Sequence, residues 1–522
     1  MRQRDLAGQQ RVIVGNVGRL INGAMLQLNT QAGAELFNMK LIPANAQLFT
    51  DCFSLTRGKL FLAHSIKLIT IKTGRHYGVF TPLIDPEFEM INSSLRTAAP
   101  DGCLLFFMKT TGSDPAAIRA IPRPARFSLA ANYDPELVPA LAPYPVDEVY
   151  GRFPTDGVSS GRPRYLATPL SEADLRSYIR LLDRHGIAFN YLLNGACFGN
   201  SEWTRPWQKR VTALLAKLGD LGVRRVTVST PFLLELVKRR FPEFKVRVGI
   251  YAQVDTPRRA RFWEELGADA IVLESFSINR NFRRLAAIRR AIRCDLELIA
   301  NHVCLMNCPL QTYHQNGFAH ASDDTSTLFI DYCFLRCSRL RLTDPSQFIK
   351  AAWIRPEDLA VYEAMGYTTF KLLERGIPSA ELLRRVKAYS ERRFDGNLAE
   401  LLLSYGFKQP VRKESLWNLR HFWKPQQVNP LRLKPLLDLA RLQGWLSPLP
   451  ECPIRVEARK IPENFLDGFR NRDCASMDCQ ACGYCERIAA QAVSISPEYR
   501  SEVLRKYAEM DETMSTGSLW GV

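Results

Sequence analysis

The chain has 522 residues, 46% hydrophobic and 24% charged, a soluble globular composition long enough for several domains of about 100–200 residues each. No apolar stretch reaches the roughly 18–20 residues that cross a bilayer. The opening MRQRDLAGQQRVIVGNV has no signal-peptide core, so membrane insertion and secretion are not expected and a cytoplasmic location is. Seventy Lys and Arg against 53 Asp and Glu leave +17, which calls for an anionic partner, nucleic acid being the commonest.

In chain order, residues 1–122 read as a domain of α/β or mainly β type, with strands at Lys59–Ala63, Ile66–Lys72 and Leu104–Lys109 and no motif. Pro122 and Pro124 mark its boundary. From Arg126 strands and amphipathic helices alternate. Strands are expected at Phe127–Ala131, Glu148–Gly151, Ala188–Leu193, Arg225–Ser229, Lys245–Tyr251, Ala270–Leu273 and Asp295–Ala300. Helices fall between them, among them Glu172–His185, Trp207–Leu221, Leu233–Phe241, Pro257–Leu266 and Asn279–Arg293. This rhythm predicts a (β/α)8 TIM-like barrel over 123–376. Two further strands, Gln347–Ala351 and Thr368–Leu372, make nine candidates for eight places. A helical and basic aromatic segment (377–450) follows, then a cysteine-rich C-terminal region (451–522).

Thirteen cysteines are present, and eight form two tight groups; in a cytosolic chain such groups read as metal or redox ligands. The first is Cys304, Cys308, Cys333 and Cys337, a C-x3-C pair followed by a second one. It begins just past the Asp295–Ala300 strand, on the rim where barrel active sites sit. Four thiolates there can hold tetrahedral zinc or cap an iron–sulfur cubane, and the three-residue spacing suits the larger group better. The second is Cys474, Cys479, Cys482 and Cys485, C-x4-C-x2-C-x2-C, able to wrap one centre unaided: a second iron–sulfur cluster, or zinc. His302, His314 and His320 share the first segment. Rim candidates for substrate contact are Asn194, Gln253, Glu274, Asn301 and His302, led by Gln253 and His302. Cys197 also lies at the rim and reads as a buried thiol.

From FSLAANYDPELVPAL and VDEVYGRF, through FNYLLN, RRVTVSTPFLLELVKRRFPEFKVRVGIYAQV and FWEELGADAIVLESFS, to FIKAAWIRPEDLAVYEAMGYTTFKLLERG, the chain resembles the peptidase U32 family, the "collagenase-like" proteins. The last segment is similar to that family's Ile-Lys and Lys-Ile-Glu-Gly-Arg elements. The resemblance covers about Arg126 to Leu403. It implies a [4Fe–4S] cluster on Cys304, Cys308, Cys333 and Cys337. It also implies O2-independent hydroxylation, as in relatives that act on a ubiquinone precursor or on bases of transfer or ribosomal RNA, with prephenate implicated as oxygen source. An electron donor and a partner of the same family follow from it too. The family's usual Gly-Ala/Ser-x-Cys step is replaced here by ELIANHVCLMNCP, with histidine near the glycine position and a shorter cysteine interval.

Two other classes compete with an oxidoreductase acting on an RNA base or a small aromatic substrate. A peptidase should show its machinery. No H-E-x-x-H is present, and Gly157-Val-Ser-Ser-Gly161 matches G-x-S-x-G but lies in a proline-flanked loop, not at a strand-to-helix elbow. The other class is a non-catalytic, metal-stabilised RNA-binding protein. Lys408, Arg412, Lys413, Arg420, Lys424, Arg432 and Lys434, against Glu414 alone, interleave with Trp417, Phe422 and Trp423 as a stacking, phosphate-binding surface requires; the competing reading packs those aromatics on the barrel. The basic run Arg280–Arg293 reads as a barrel helix with a solvated outer face.

Overall fold

The computed structural model describes residues 124–323, 328–402, 419–444, 449, 451–470 and 472–522, together with three strands nearer the amino terminus. The chain divides into two compact units between Ile118 and Arg119. In the first, β1 (Met25–Thr30), β2 (Leu36–Ile42) and β3 (Phe49–Ser54) pair antiparallel in that order. The strands expected at Lys59–Ala63, Ile66–Lys72 and Leu104–Lys109 lie outside the described residues.

In the second unit eight parallel strands close into a barrel: β4 (Arg126–Ala130), β5 (Val146–Gly151), β6 (Ala188–Leu193), β7 (Arg225–Val228), β8 (Lys245–Val248), β9 (Ala270–Val272), β10 (Asp295–Ile299) and β11 (Thr369–Leu372). They neighbour one another in chain order, and β11 pairs with both β10 and β4 to complete the ring. Nearly every strand residue is buried, as expected of parallel strands covered on both faces. The helices follow from local chemistry. In Glu172–Arg184 the residues Leu175, Tyr178, Ile179 and Leu182 form one buried stripe, and Ser171 and Asp174 make a reciprocal capping box. Helices Arg205–Asp220, Pro231–Arg240 and Pro257–Glu265 each follow a threonine N-cap and carry proline in the first two positions, where its missing N–H and fixed φ do no harm.

The ninth candidate strand is corrected: Gln347–Lys350 is a helical turn. Asp344 sets it, accepting hydrogen bonds from Ser346 N (3.0 Å), Ser346 Oγ (2.6 Å) and Gln347 Nε2 (2.9 Å), so the Asp-Pro-Ser sequence starts a turn that the apolar Phe348 and Ile349 then continue. The helix Ser379–Glu391 packs on β4 and on the short helix Leu137–Leu141, completing the outer ring.

Charge fills part of the barrel interior. Glu148 accepts from Ser128 Oγ (2.7 Å) and Asn190 Nδ2 (3.2 Å) and pairs with Arg225 and Arg247; Arg247 reaches on to Glu297. Burial opposes its charge, yet the Arg247 guanidinium and these hydrogen bonds win and hold Glu148 at about 2. The C-terminal region is sewn to the barrel. β12 (Ile454–Val456) pairs antiparallel with β13 (Val493–Ile495), and Arg355, paired with Asp358, donates to the carbonyls of Pro462 and Glu463. No helix among the described residues is long and apolar enough to cross a membrane.

Candidate metal centre and active-site cavity

A cavity of about 1380 Å3 opens at the C-terminal ends of the barrel strands, and Cys304, Cys308, Cys333 and Cys337 all line it. Two elements bring them together. Cys304 and Cys308 lie on the loop after β10, which Asn307 turns through a left-handed residue (φ 49°) while its N–H donates to Phe276 O (3.0 Å). Cys333 and Cys337 lie one turn apart on the helix Tyr332–Thr343, hence on one face. That helix starts on Asp331, whose carboxylate accepts from Phe334 N (2.9 Å). Arg341 joins helix to loop: its guanidinium donates to Val303 O (3.0 Å) and to Cys337 Sγ (3.5 Å).

The donor set is four thiols lining one cavity. Cys304 and Cys337 each lie within electrostatic reach of Cys308, and Cys333 of both Cys308 and Cys337. Four thiolates there could hold a tetrahedral zinc ion or cap an iron–sulfur cubane. Burial pushes the thiols of Cys304, Cys308 and Cys333 up, Cys333 to about 12. Thiols so raised are protonated at neutral pH, and a metal binding there would displace the protons.

The rim candidates divide. His302 lines the cavity; its Nδ1 bonds Ser275 Oγ and its ring meets Phe276 at 4.7 Å. Burial, with Arg341 and His314 adding, pushes it down to about 3, so the imidazole is neutral. Asn194 lines the cavity and accepts from Gly161 N (3.3 Å). Asn301 lines it too, but its amide is committed to Leu373 O (2.8 Å), Leu401 O (3.0 Å) and Leu373 N (2.8 Å), which makes it a clamp between β10 and β11. Gln253 and Glu274 are not among the lining residues. Gln253 braces the helix Gln311–Asp323 by donating to Gln315 Oε1 (3.0 Å). Glu274 accepts from Phe276 N, Ser277 N and Ser277 Oγ to close its own loop. His314 Nε2 donates to the Asp331 carboxylate (3.0 Å) beside Cys333. His320 and Cys197 line a smaller neighbouring cavity of about 810 Å3.

Three residues missed in the sequence stand out. Lys371, Glu374 and Arg375, from TTFKLLERG at the end of β11, line the cavity. Their signal was a charged cluster ending a barrel strand. Lys371 Nζ lies 3.7 Å from the Tyr150 ring centre, and burial, offset in part by Glu297, pushes its amine down to about 8. Arg162, from the loop after β5, pairs with Glu374 (3.2 Å). Aromatic side chains guard the mouth: Phe422 meets Tyr165 at 5.3 Å, and Trp423 is 65% exposed. These aromatics belong to the basic segment, whose described part forms a cavity wall; Lys408, Arg412, Lys413, Glu414 and Trp417 lie outside the described residues. Ser159 sits in a loop and donates to Cys197 O (2.9 Å).

Residues 135–316 match Peptidase family U32. Over 255 residues the chain is 35% identical to the "Uncharacterized protease MJ1657" of Methanocaldococcus jannaschii, covering 49% of this chain and 75% of that protein. Among solved structures, the U32 peptidase Mk0906 aligns at 22% identity over 49% of this chain and 94% of that one, with a TM-score of 0.38. FabK from Thermotoga maritima aligns at 12% identity over 75% and 96%, with a TM-score of 0.26.

Proposed function

The chain belongs to the peptidase U32 family, and from that premise we propose that it is an iron–sulfur oxidoreductase, with a [4Fe–4S] cluster on Cys304, Cys308, Cys333 and Cys337 serving an O2-independent hydroxylation or related redox step. The observation that carries this reading is the convergence of those four thiols on the barrel-rim cavity. A bound cluster supplies one-electron chemistry there. The chain's own residues do the rest. Lys371, Arg162 and Arg375 place positive charge where an anionic substrate group or a developing oxyanion would sit. Tyr165, Phe422 and Trp423 offer faces on which a planar ring, an RNA base or a quinone precursor, can stack. The cavity exceeds the roughly 300–1,000 Å3 of ordinary small-ligand pockets, which favours a bulky substrate.

Anaerobic purification with iron, sulfide and zinc analysis tests this. Wild type is expected to carry acid-labile sulfide, and the Cys333→Ser/Cys337→Ser double variant to lose about four irons per chain. Stoichiometric zinc without sulfide overturns it.

A second reading, proteolysis, draws on the name of the M. jannaschii relative and on the grouping of His314, Asp331 and Cys333 within 4.8 Å. A nucleophilic thiol needs a lowered pKa; burial and Asp331 push Cys333 the other way. Cleavage of a gelatin-like substrate that is lost in Cys333→Ser and kept without iron would favour this reading; a substrate left intact removes it.

A further inference from the structure

Among the described residues the buried guanidinium of Arg280 makes no salt bridge to a carboxylate, although the sequence places it at the start of a solvated helix face. It is 2% exposed and precedes the helix Phe282–Ala291, which begins two residues later. Its Nη atoms donate to Ile349 O (2.6 Å) and Trp353 O (3.0 Å), while Nε has no hydrogen-bond partner. Trp353, Phe465 and Phe469 surround it with rings at 4.5, 4.8 and 5.0 Å. A buried cation is costly unless an anion faces it. The acidic groups that face Arg280 are Cys485, Tyr362, Asp358 and Cys474. Two are already spent: Asp358 is held bidentate by Arg355 (2.8 and 2.8 Å), and the Tyr362 hydroxyl donates to Asn279 O (2.7 Å). That leaves the thiols of Cys474 and Cys485 facing the guanidinium, at the positions where metal-bound thiolates would supply counter-charge.

Those thiols belong to the second cysteine group. Cys474 lies within electrostatic reach of Cys479 and Cys482, and Cys485 of Cys474. The loop is shaped for convergence: Asp478 caps the turn Cys479–Cys482 by accepting from Gln480 N (2.9 Å), and Gly483 reverses the chain at φ 58° to start the helix that carries Cys485. Its base is anchored, with Asp473 accepting from Asn281 (3.2 Å), Glu486 pairing with Lys350 (2.5 Å) and Tyr484 stacking on Phe465. The C-x4-C-x2-C-x2-C spacing brings four thiols within 12 positions of chain, with two of the cysteines on one helical turn.

We propose that Cys474, Cys479, Cys482 and Cys485 hold a second iron–sulfur cluster, with Arg280 as its buried counter-charge. A cluster with four thiolate ligands carries net negative charge, which is what the unpaired guanidinium requires. Cys479 is exposed and Cys485 half-buried, so the solvent-facing edge is where a redox partner would meet it.

The test uses the full chain purified anaerobically. Wild type is expected to hold about eight irons, and Cys479→Ser/Cys482→Ser to lose about four, with matching sulfide. Iron and sulfide unchanged in that variant overturn the proposal, as does loss of one zinc instead of iron. The barrel reading fails separately: there Cys333→Ser/Cys337→Ser leaves iron unchanged while the tail variant still removes it. Arg280→Gln is expected to lower the midpoint potential of the tail cluster, since a nearby cation stabilises the reduced form, and Arg280→Lys to keep most of it. An unmoved potential in Arg280→Gln ends the counter-charge role.

Discussion

Single residues in the barrel interior set where charge can reside. Lys371 is the one most open to measurement, because burial brings its amine to about 8, inside the assay range. It is charged below that value and neutral above it, so binding of an anionic ligand in the cavity should weaken as pH rises through about 8. Lys371→Met should flatten that limb, seen as a pH-independent KM. Glu148 shows the opposite sign. Its folded value of about 2 lies below the roughly 4.3 of an unfolded glutamate, so its contribution is full above about 4.3 and lost as pH falls toward 2. Glu148→Gln leaves Arg247 with Glu297 alone and should cost about 3 kcal/mol at neutral pH. Denaturant midpoints taken from pH 5 to 2 should fall less steeply in the variant than in wild type. Gln253 and Glu274 teach the complementary lesson. A polar residue at a rim looks the same in sequence whether it faces substrate or braces a loop, because its partners, Gln315 and the Ser277 backbone, are chosen by packing.

At the scale of elements, the site is a pairing of one loop with one helix. The C-x3-C spacing was visible from the start, but its meaning differs between the two pairs. On the helix it places Cys333 and Cys337 on one face; in the loop it depends on the left-handed Asn307. Arg341 fastens the two. Arg341→Met should therefore lower iron retention at the barrel site without unfolding the barrel, measured as iron per chain beside an unchanged far-UV spectrum. A control belongs with it: Ser171→Ala removes the capping box of Glu172–Arg184, does not touch a cavity-lining side chain, and should cost about 1 kcal/mol with iron content intact. The strand expected at Gln347–Ala351 failed because Asp344 hydrogen-bonds the residues just after it, a local effect that outweighed apolar content.

At the scale of the molecule, a net charge of +17 is spent in several ways. Part pairs inside the barrel, part lines the cavity, and Arg280 faces the second cysteine group. If RNA presents the ring that is oxidised, its affinity should fall steeply as salt rises from about 50 to 200 mM, roughly as the number of phosphates contacted; a flat response in filter binding leaves the quinone-type substrate.

The sequence by itself determined the strand–helix alternation, the two groups of four cysteines and the family resemblance, because each rests on local periodicity or spacing. Barrel closure came from hydrogen bonds between β11 and its two neighbours, which chose among nine candidate strands. Only the tertiary structure decided which polar residues face the cavity, and that Arg280 turns inward toward Cys474 and Cys485. Those outcomes depend on contacts between residues hundreds of positions apart, which no local pattern encodes.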